Sequence, residues 1–241
     1  MLQTQATLID IQHSPNKQVA FLYFKLDDLF DFKEGQFVFL ERLEFSYPDG
    51  KAMKNAYSIW TTNTMLQDQW IIGTIVKKTS EWWMSDYLTQ GMKIGDKIKC
   101  TWPLGHFIDK EMSYNYLFVS IGSGITPLFS MYTQLLQTKK FNKIVNIFGE
   151  RTKDMLLPSV LASYDISTEQ VHNLLYLSQE TDMIDGWRTG RIQQWLENVS
   201  SLFDGQWFQA FLCGKPEMVD SVVDMLTSQW VSKEYISFEK Y

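Results

Sequence analysis

The chain is poor in several residues that would commit it to particular chemistries. It has two cysteines, Cys100 and Cys213, in 241 residues. Two thiols cannot complete an iron–sulfur cluster or a four-cysteine zinc site. They are also too few for a secreted disulfide framework, so a reducing cytoplasm is the expected setting. The three histidines, His13, His106 and His172, are scattered, which argues against a histidine metal site. No His–Ser–Asp arrangement stands out, and hydrolase chemistry finds no support. Positive charge is short as well: 22 lysines and arginines against 28 acids leave a net −6. Nucleic-acid clamps carry a basic stripe that such a balance does not supply. No apolar run reaches the roughly 18 residues of a membrane span. The start, Met1-Leu2-Gln3-Thr4-Gln5-Ala6-Thr7, lacks the basic and apolar blocks of a signal peptide.

What the chain has is bulk. Apolar residues make up 45% and aromatics 15%, with nine tryptophans. That excludes a disordered chain and suits a large core or a flat aromatic ligand.

Two halves differ in period. The first reads as short strands: Thr7–Ile11, Val19–Leu26, Phe37–Leu40, Trp70–Lys77 and Gly95–Trp102. Turn signals at Ser14-Pro15-Asn16, Glu34-Gly35 and Tyr47-Pro48-Asp49-Gly50 separate them. One helix is expected over Glu81–Gln90. Many short strands with turns predict an antiparallel barrel or sandwich. After about Lys110 the pattern changes. Tyr116–Ile121, Ile144–Phe148, Leu174–Leu177, Trp207–Leu212 and Tyr235–Phe238 read as buried strands. Helices are expected between them: one carrying Leu128, Met131, Tyr132 and Leu135 at helical spacing, then Met155–Tyr164, Ile192–Asn198 and Met218–Trp230. Alternation of this kind predicts a parallel sheet. The expected division is residues 1–109 and 110–241, joined by a short connection near Asp109–Ser113.

Three segments carry chemistry. In Ile121-Gly122-Ser123-Gly124-Ile125-Thr126-Pro127 a strand-to-helix turn rich in glycine lets the backbone approach a phosphate, and the helix start offers free N–H groups. The third glycine of the usual dinucleotide fingerprint is missing, and a ligand-free turn is the competing reading. Phe211-Leu212-Cys213-Gly214-Lys215-Pro216 follows another buried strand, so it belongs on the same sheet edge, where open parallel sheets bind ligands. A lone cysteine there is more often inert packing. Asn55-Ala56-Tyr57-Ser58 offers a stacking face beside a hydroxyl, and by itself is compatible with an ordinary strand.

In this order, from Glu34 to Tyr241, the segments resemble the ferredoxin–NADP reductase family, especially its bacterial flavodoxin/ferredoxin reductases. Glu34-Gly35-Gln36-Phe37 is similar to the family's G-Q-[FY] strand, and Asn55-Ala56-Tyr57-Ser58 to its R-x-Y-S flavin motif. Ser85-Asp86-Tyr87-Leu88 resembles its S-x-x-L helix start. Gly95-Asp96 with Pro103-Leu104-Gly105-His106-Phe107 resembles G-D…G-P-x-G-x-F, with Trp102 in place of the second motif's first glycine. Gly122-Ser123-Gly124-Ile125-Thr126-Pro127 is similar to the G-x-G-[IT]-x-P loop. Gly149-Glu150-Arg151 and Thr189-Gly190-Arg191-Ile192 resemble nucleotide-side elements, Cys213-Gly214-Lys215-Pro216 the C-G-x-P motif, and Phe238-Glu239-Lys240-Tyr241 the terminal acid-plus-aromatic.

The resemblance implies an FAD-binding antiparallel β-barrel followed by an α/β parallel-sheet nucleotide-binding domain. It implies a flavin-dependent oxidoreductase that takes hydride from NADPH or NADH and passes single electrons to ferredoxin, flavodoxin or another separate redox protein. Asn55, Ala56, Tyr57, Ser58 and Ser85 would hold the flavin, with Tyr57 on one ring face and Tyr241 on the other. Gly122, Gly124, Thr126, Pro127, Arg151, Arg191 and Gly214 would serve the nucleotide. Ser58, Cys213 and Glu239 would sit along the hydride path. Two departures bear on the flavin: Asn55 stands where the family has arginine, and Trp82 where it has glycine. Asparagine cannot give diphosphate a charged fork. Lys54, Lys77 and Lys78 are the available substitutes. FAD, FMN and no flavin therefore remain open. Gln179 stands where NADPH-preferring relatives often carry arginine, which leaves NADPH and NADH open, with Arg151, Arg188 and Arg191 as candidate partners of a 2′-phosphate. The alternatives are a reductase component of an oxygenase system, and a nucleotide-binding regulatory module with a degenerate flavin site.

Overall fold

The computed structural model describes residues 2–79, 83–112, 114–156, 168–181, 186–196 and 199–241. The first part holds β1 (Gln3–His13), β2 (Val19–Leu26), β3 (Phe37–Ser46), β4 (Ala52–Ser58), α1 (Asn63–Gln69), β5 (Ile71–Lys77) and β6 (Lys97–Thr101). Its six strands form one sheet in the order β4-β3-β6-β1-β2-β5, with every pairing antiparallel. The edges approach each other: Trp60 donates its N–H to the Gly73 carbonyl at 2.8 Å, and the Thr74 hydroxyl donates to the Ser58 carbonyl at 2.9 Å. The sheet therefore curls into a barrel around Leu8, Leu22, Phe24, Leu40 and Ile98, all fully buried.

The second part holds β7 (Asn115–Ile121), α2 (Ile125–Thr138), β8 (Lys143–Glu150), β9 (Val171–Leu177), β10 (Trp187–Thr189), β11 (Gln209–Gly214), α3 (Pro216–Ser228) and β12 (Ile236–Lys240). These six strands run parallel in the order β10-β9-β8-β7-β11-β12. Strands β7 and β11 are buried along almost their whole length, as expected of strands covered on both faces. Connections run outward from β7 through β8 on one side and return to β11 on the other. The crevice where strand order reverses thus opens between the C-terminal ends of β7 and β11, which carry Gly122-Ser123-Gly124 and Gly214.

The two parts share a core. Val19, Phe21, Trp60 and Ile75 from the barrel cluster with Tyr132, Phe118 and Phe211 from the α/β part. Trp60 stacks on Phe129 at 3.8 Å between centroids and 7° between planes, and Gly35 donates its N–H to the Ser130 hydroxyl at 3.1 Å.

Several local expectations change. The helix expected over Glu81–Gln90 is a turn of α-helix at Met84–Asp86 widening into a π-turn at Tyr87–Gly91, and residues 80–82 lie outside the described set. Ile192–Asn198 contains a 3₁₀ turn, Ile192–Trp195, with 197–198 undescribed. Almost all of the helix expected over Met155–Tyr164 also falls outside the described residues, while Lys153–Met155 is a 3₁₀ turn. Helix α1 was not expected. Thr62 caps it by accepting from the Met65 N–H, and Trp70 ends it in a left-handed conformation.

Candidate functional site

Two adjoining cavities lie along the seam between the parts. The first, of about 520 Å³, lies against the barrel and is lined by Asn55, Tyr57, Ser58, Ser85, Cys213 and Glu239, among others. The second, of about 830 Å³, lies over the crevice of the parallel sheet and includes Gly122, Glu150, Arg151, Ser178, Arg191 and Lys215. Lys77, Thr79, Ser123 and Tyr241 line both. Ligands in the two cavities would meet across that shared wall.

On the barrel side, the register Val38–Tyr57 and Leu40–Asn55 puts Tyr57 and Asn55 on one face of the hairpin. Tyr57 is 9% exposed, and its hydroxyl is buried without a hydrogen-bond partner. Burial first, then the nearby Tyr47 hydroxyl, push its pKa up. A buried orphan hydroxyl is costly unless something else satisfies it. The Asn55 side-chain oxygen accepts from the Ala56 N–H at 3.0 Å. Ser85 is buried, with its hydroxyl 2.9 Å from that of Thr79.

On the sheet side, Gly122 adopts φ +54° and begins a 3₁₀ turn, Gly122–Gly124, that leads into α2. Gly124 needs the absence of a side chain for another reason. A Cβ there would lie 2.3 Å from the Cys213 carbonyl oxygen. The Thr126 hydroxyl donates to the Ser123 carbonyl at 2.6 Å and so ties the turn together.

Tyr241 bridges these features. Its hydroxyl donates to the Ile121 carbonyl at 2.6 Å and accepts from the Gly124 N–H at 3.1 Å. The residue is 55% exposed overall, but its hydroxyl end is enclosed, and burial pushes the phenol up to about 12. Cys213 and Glu239 face each other in register across β11 and β12. Burial, reinforced by Glu239, pushes the Cys213 thiol well up, so it is a neutral thiol at physiological pH. Burial pushes the Glu239 carboxyl up to about 7.

Of the three lysines named as substitutes for the family's arginine, Lys54 lies over the Phe39 ring at 5.2 Å, and Lys78 pairs with Asp86 at 2.8 Å. Only Lys77 reaches both cavities, paired with Glu150 at 3.1 Å across the seam. Pro127 and Gly214 line neither cavity. Pro127 is buried in the first turn of α2, and Gly214 gives Met218 and Ile121 room to pack. Ala56, Gly124 and Thr126 line the barrel-side cavity, and Gly122, Arg151 and Arg191 the sheet-side one. Sequence reasoning missed Lys215, Glu217 and Ser221, which also line the sheet-side cavity. They sit at and just beyond the C-G-x-P motif, which was the available signal.

Residues 118–224 match the oxidoreductase NAD-binding domain. Over its whole length the chain superposes on a ferredoxin NADP+ reductase from Neisseria gonorrhoeae that holds FAD and NADP, with a TM-score of 0.83, 18% identity and 99% of that chain covered. The chain has the two-part fold of the ferredoxin–NADP reductases. A cytochrome P450 reductase from Amycolatopsis shares the fold at a TM-score of 0.79 and 21% identity, with 99% of this chain and 69% of that one covered. In sequence, the chain is 28% identical over 225 residues to one of the subunits of the 1,2-phenylacetyl-CoA epoxidase of Escherichia coli, covering 90% of this chain. It is 23% identical over 212 residues to the toluate 1,2-dioxygenase electron transfer component of Pseudomonas putida, covering 87% of this chain. The matches span 60% and 59% of those two relatives' lengths. Among the described residues no helix is long and apolar enough to cross a membrane.

Proposed function

We propose that this chain is a flavin-dependent oxidoreductase that takes hydride from a nicotinamide dinucleotide and passes single electrons to a separate redox protein. The observation that carries the reading is the pair of cavities sharing Lys77, Thr79, Ser123 and Tyr241 as a wall. Two bound ligands meeting at Tyr241 are what direct hydride transfer needs. The reading assigns residues 1–109 to the flavin side and 110–241 to the nucleotide side.

The barrel-side residues fit a flavin. Tyr57 presents an aromatic wall and an unsatisfied buried hydroxyl, a need that a polyhydroxylated ligand meets. Lys77, although paired with Glu150, is the lysine that brings an ammonium to the cavity where Asn55 brings no charge. When bound, a flavin accepts two electrons as hydride and releases them singly. The chain's own residues bind and orient. Ser58 offers a half-buried hydroxyl to the cavity. Cys213, held as a neutral thiol, supplies a small apolar contact. Glu239, whose carboxyl titrates near neutrality, can hold or release a proton at the cavity edge.

For the nucleotide we propose NADPH ahead of NADH. Gln179 donates its backbone N–H to the Arg151 carbonyl at 2.9 Å, and the Gly190 N–H donates to the Leu177 carbonyl at 3.1 Å. Arg151, Ser178 and Arg191 all line the sheet-side cavity, and guanidinium groups suit a phosphate. The acceptor reading that the relatives' names favour is an oxygenase component; ferredoxin and flavodoxin are the other candidates.

The test is a visible spectrum of the purified chain, followed by anaerobic NADPH and NADH. Flavin bands near about 380 and 450 nm that bleach faster with NADPH are expected. A chain that stays colourless after incubation with FAD and FMN would overturn the reading in favour of a nucleotide-binding module with a degenerate flavin site.

A further inference from the structure

Glu150, a buried charge at the seam, has no task in the chemistry proposed above. It is the last residue of β8 and lines the sheet-side cavity. Glu217, the other carboxylate lining that cavity, is exposed, whereas Glu150 is buried. A buried carboxylate carries a desolvation cost. This one stands where the chain otherwise gathers positive charge, since Lys77, Arg151, Arg191 and Lys215 line the same space. Its Oε1 accepts from the Lys77 ammonium at 3.1 Å and from the Arg151 N–H at 2.8 Å, and its Oε2 lies 3.4 Å from the same ammonium. A Cβ on Gly122 would lie 3.5 Å from the Lys77 Nζ and 3.6 Å from the Glu150 Oε2. The pair thus sits against the glycine turn that leads into α2. The Glu150 backbone is fixed, because its carbonyl accepts from the Ser178 N–H at 2.9 Å. Lys77 ends β5 on the barrel and hangs from a flexible four-carbon stem, its side chain 23% exposed. The lysine is the partner that can move.

We propose that Glu150 is an internal competitor that sets the affinity of the sheet-side cavity for a nucleotide diphosphate: carboxylate and diphosphate contend for the Lys77 ammonium. This rests on the nucleotide reading above and is independent of the flavin one. A diphosphate seated on the N–H groups of the Gly122 turn comes within reach of Lys77, which stands beside that glycine. Two anions around one ammonium leave one of them short of a partner, and here the loser is a buried carboxylate. Part of the binding energy therefore goes into separating the pair. An oxidoreductase that turns over has to release its spent nucleotide, and a resident anion that reclaims the ammonium favours release.

Wild type, Glu150→Gln, and Glu150→Gln combined with Lys77→Met are titrated calorimetrically with NADP+ and with uncharged adenosine. Glu150→Gln keeps the side-chain shape and an oxygen for the Arg151 N–H. It is expected to bind NADP+ about tenfold more tightly than wild type, with the gain shrinking as salt is raised and adenosine affinity unchanged. Adding Lys77→Met is expected to cancel the gain. In the wild type, the Glu150 carboxyl carbon resonance is expected to move with NADP+ and to stay put with adenosine. NADP+ affinity unchanged or lowered in Glu150→Gln would overturn the competition and mark the carboxylate as a group that orients Lys77 for the ligand. An equal gain for adenosine would overturn it by tracing the effect to a loosened loop. A gain that survives Lys77→Met would overturn it in favour of plain repulsion between Glu150 and the nucleotide. A Glu150 resonance indifferent to bound NADP+ would do the same without any variant. No NADP+ binding by either wild type or Glu150→Gln would remove the nucleotide reading and the competition together, and leave the flavin reading to its own spectrum.

Discussion

The cavities have two kinds of wall. Side chains of β4, Asn55, Tyr57 and Ser58, with Ser85 from the helical turn Met84–Asp86, make one side of the barrel-side cavity. On its other side the turn after β7 meets the end of β11 backbone to backbone, Gly124 against the Cys213 carbonyl. A wall of side chains tolerates exchange, because a neighbouring group can take over a lost contact. On the proposed flavin reading, Lys77 facing the same space as Asn55 would be such an exchange. A wall where backbone touches backbone has no such freedom, because an atom added at the contact displaces a strand.

The largest effect is expected where backbone meets backbone. In Gly124→Val, the Cβ would sit 2.3 Å from the Cys213 oxygen and 2.7 Å from its carbonyl carbon. Neither atom can move without shifting β11. Nucleotide binding should fall below detection in a fluorescence titration, and overpacking should cost about 3 kcal/mol in urea unfolding. Because Gly124 and Cys213 both line the barrel-side cavity, flavin affinity should fall too. Gly122→Ala sharpens the contrast. Its neighbours are 3.4 Å or more away, so it meets only the strain of φ +54°, about 1 kcal/mol. Equal losses from Gly122→Ala and Gly124→Ala would show that the two glycines do the same work.

Next in size is the ion pair joining the cavities. The Glu150 side chain is 5% exposed and that of Lys77 23%. Lys77→Met would leave a buried carboxylate holding, among the described residues, only the Arg151 N–H at 2.8 Å. Breaking a fully buried pair costs about 3–5 kcal/mol. With the lysine partly in water, about 2 kcal/mol is expected by urea unfolding, together with weaker flavin binding. Lys77→Met combined with Glu150→Leu should recover most of the stability and none of the flavin affinity. Recovery of both would show that Lys77 serves the fold alone.

Much of this arrangement was legible in the sequence, for reasons that differ by region. Tyr116–Ile121 and Phe211–Cys213 are continuous apolar runs ending in glycine, so both the parallel sheet and the placing of two loops on one edge followed from them. The Tyr57-Ser58 pair was legible only through its motif. Helix α1 was not foreseen, since seven residues with a single buried one, Leu66, leave no periodic signal. The π-turn at Tyr87–Gly91 is a local widening that no residue pattern marks. The Lys77–Glu150 pair joins residues 73 positions apart, and only the docking of barrel on sheet brings them together. The contact of Tyr47 with Trp83 likewise joins residues far apart in the chain.

A smaller effect is expected from pH, at a residue that belongs to both kinds of wall. Glu239 is on β12 of the parallel sheet but faces the barrel-side cavity, and its carboxyl is raised from 4.5 to about 7 by burial. Above the ordinary carboxylate range the unfolded chain has lost this proton while the folded chain keeps it. The neutral carboxyl's contribution is thus fully present below about pH 4.5 and fades as pH rises through about 7. A loss of about 1 kcal/mol between about pH 5 and pH 8 is expected from urea midpoints, allowing for solvent screening. Glu239→Gln should remove that part of the slope. An unchanged slope would place the titration elsewhere.

The smallest effect should come from Tyr241, where the two walls meet. Its hydroxyl occupies the Gly124 N–H and the Ile121 carbonyl, two backbone groups of the nucleotide loop. Any nucleotide using the Gly124 amide has to displace that hydroxyl, so the phenol competes with the ligand for the backbone-built wall. Tyr241→Phe keeps the ring and removes the competitor. A net hydrogen bond contributes about 0.5–1.5 kcal/mol, so nucleotide affinity should rise about two- to tenfold, with flavin affinity unchanged because the ring remains. If nucleotide affinity falls instead, the hydroxyl supports the loop rather than blocking it, and the two cavities are coupled through the tyrosine as a strut. The sign of that one change therefore decides whether the shared wall separates the ligands or helps to seat them.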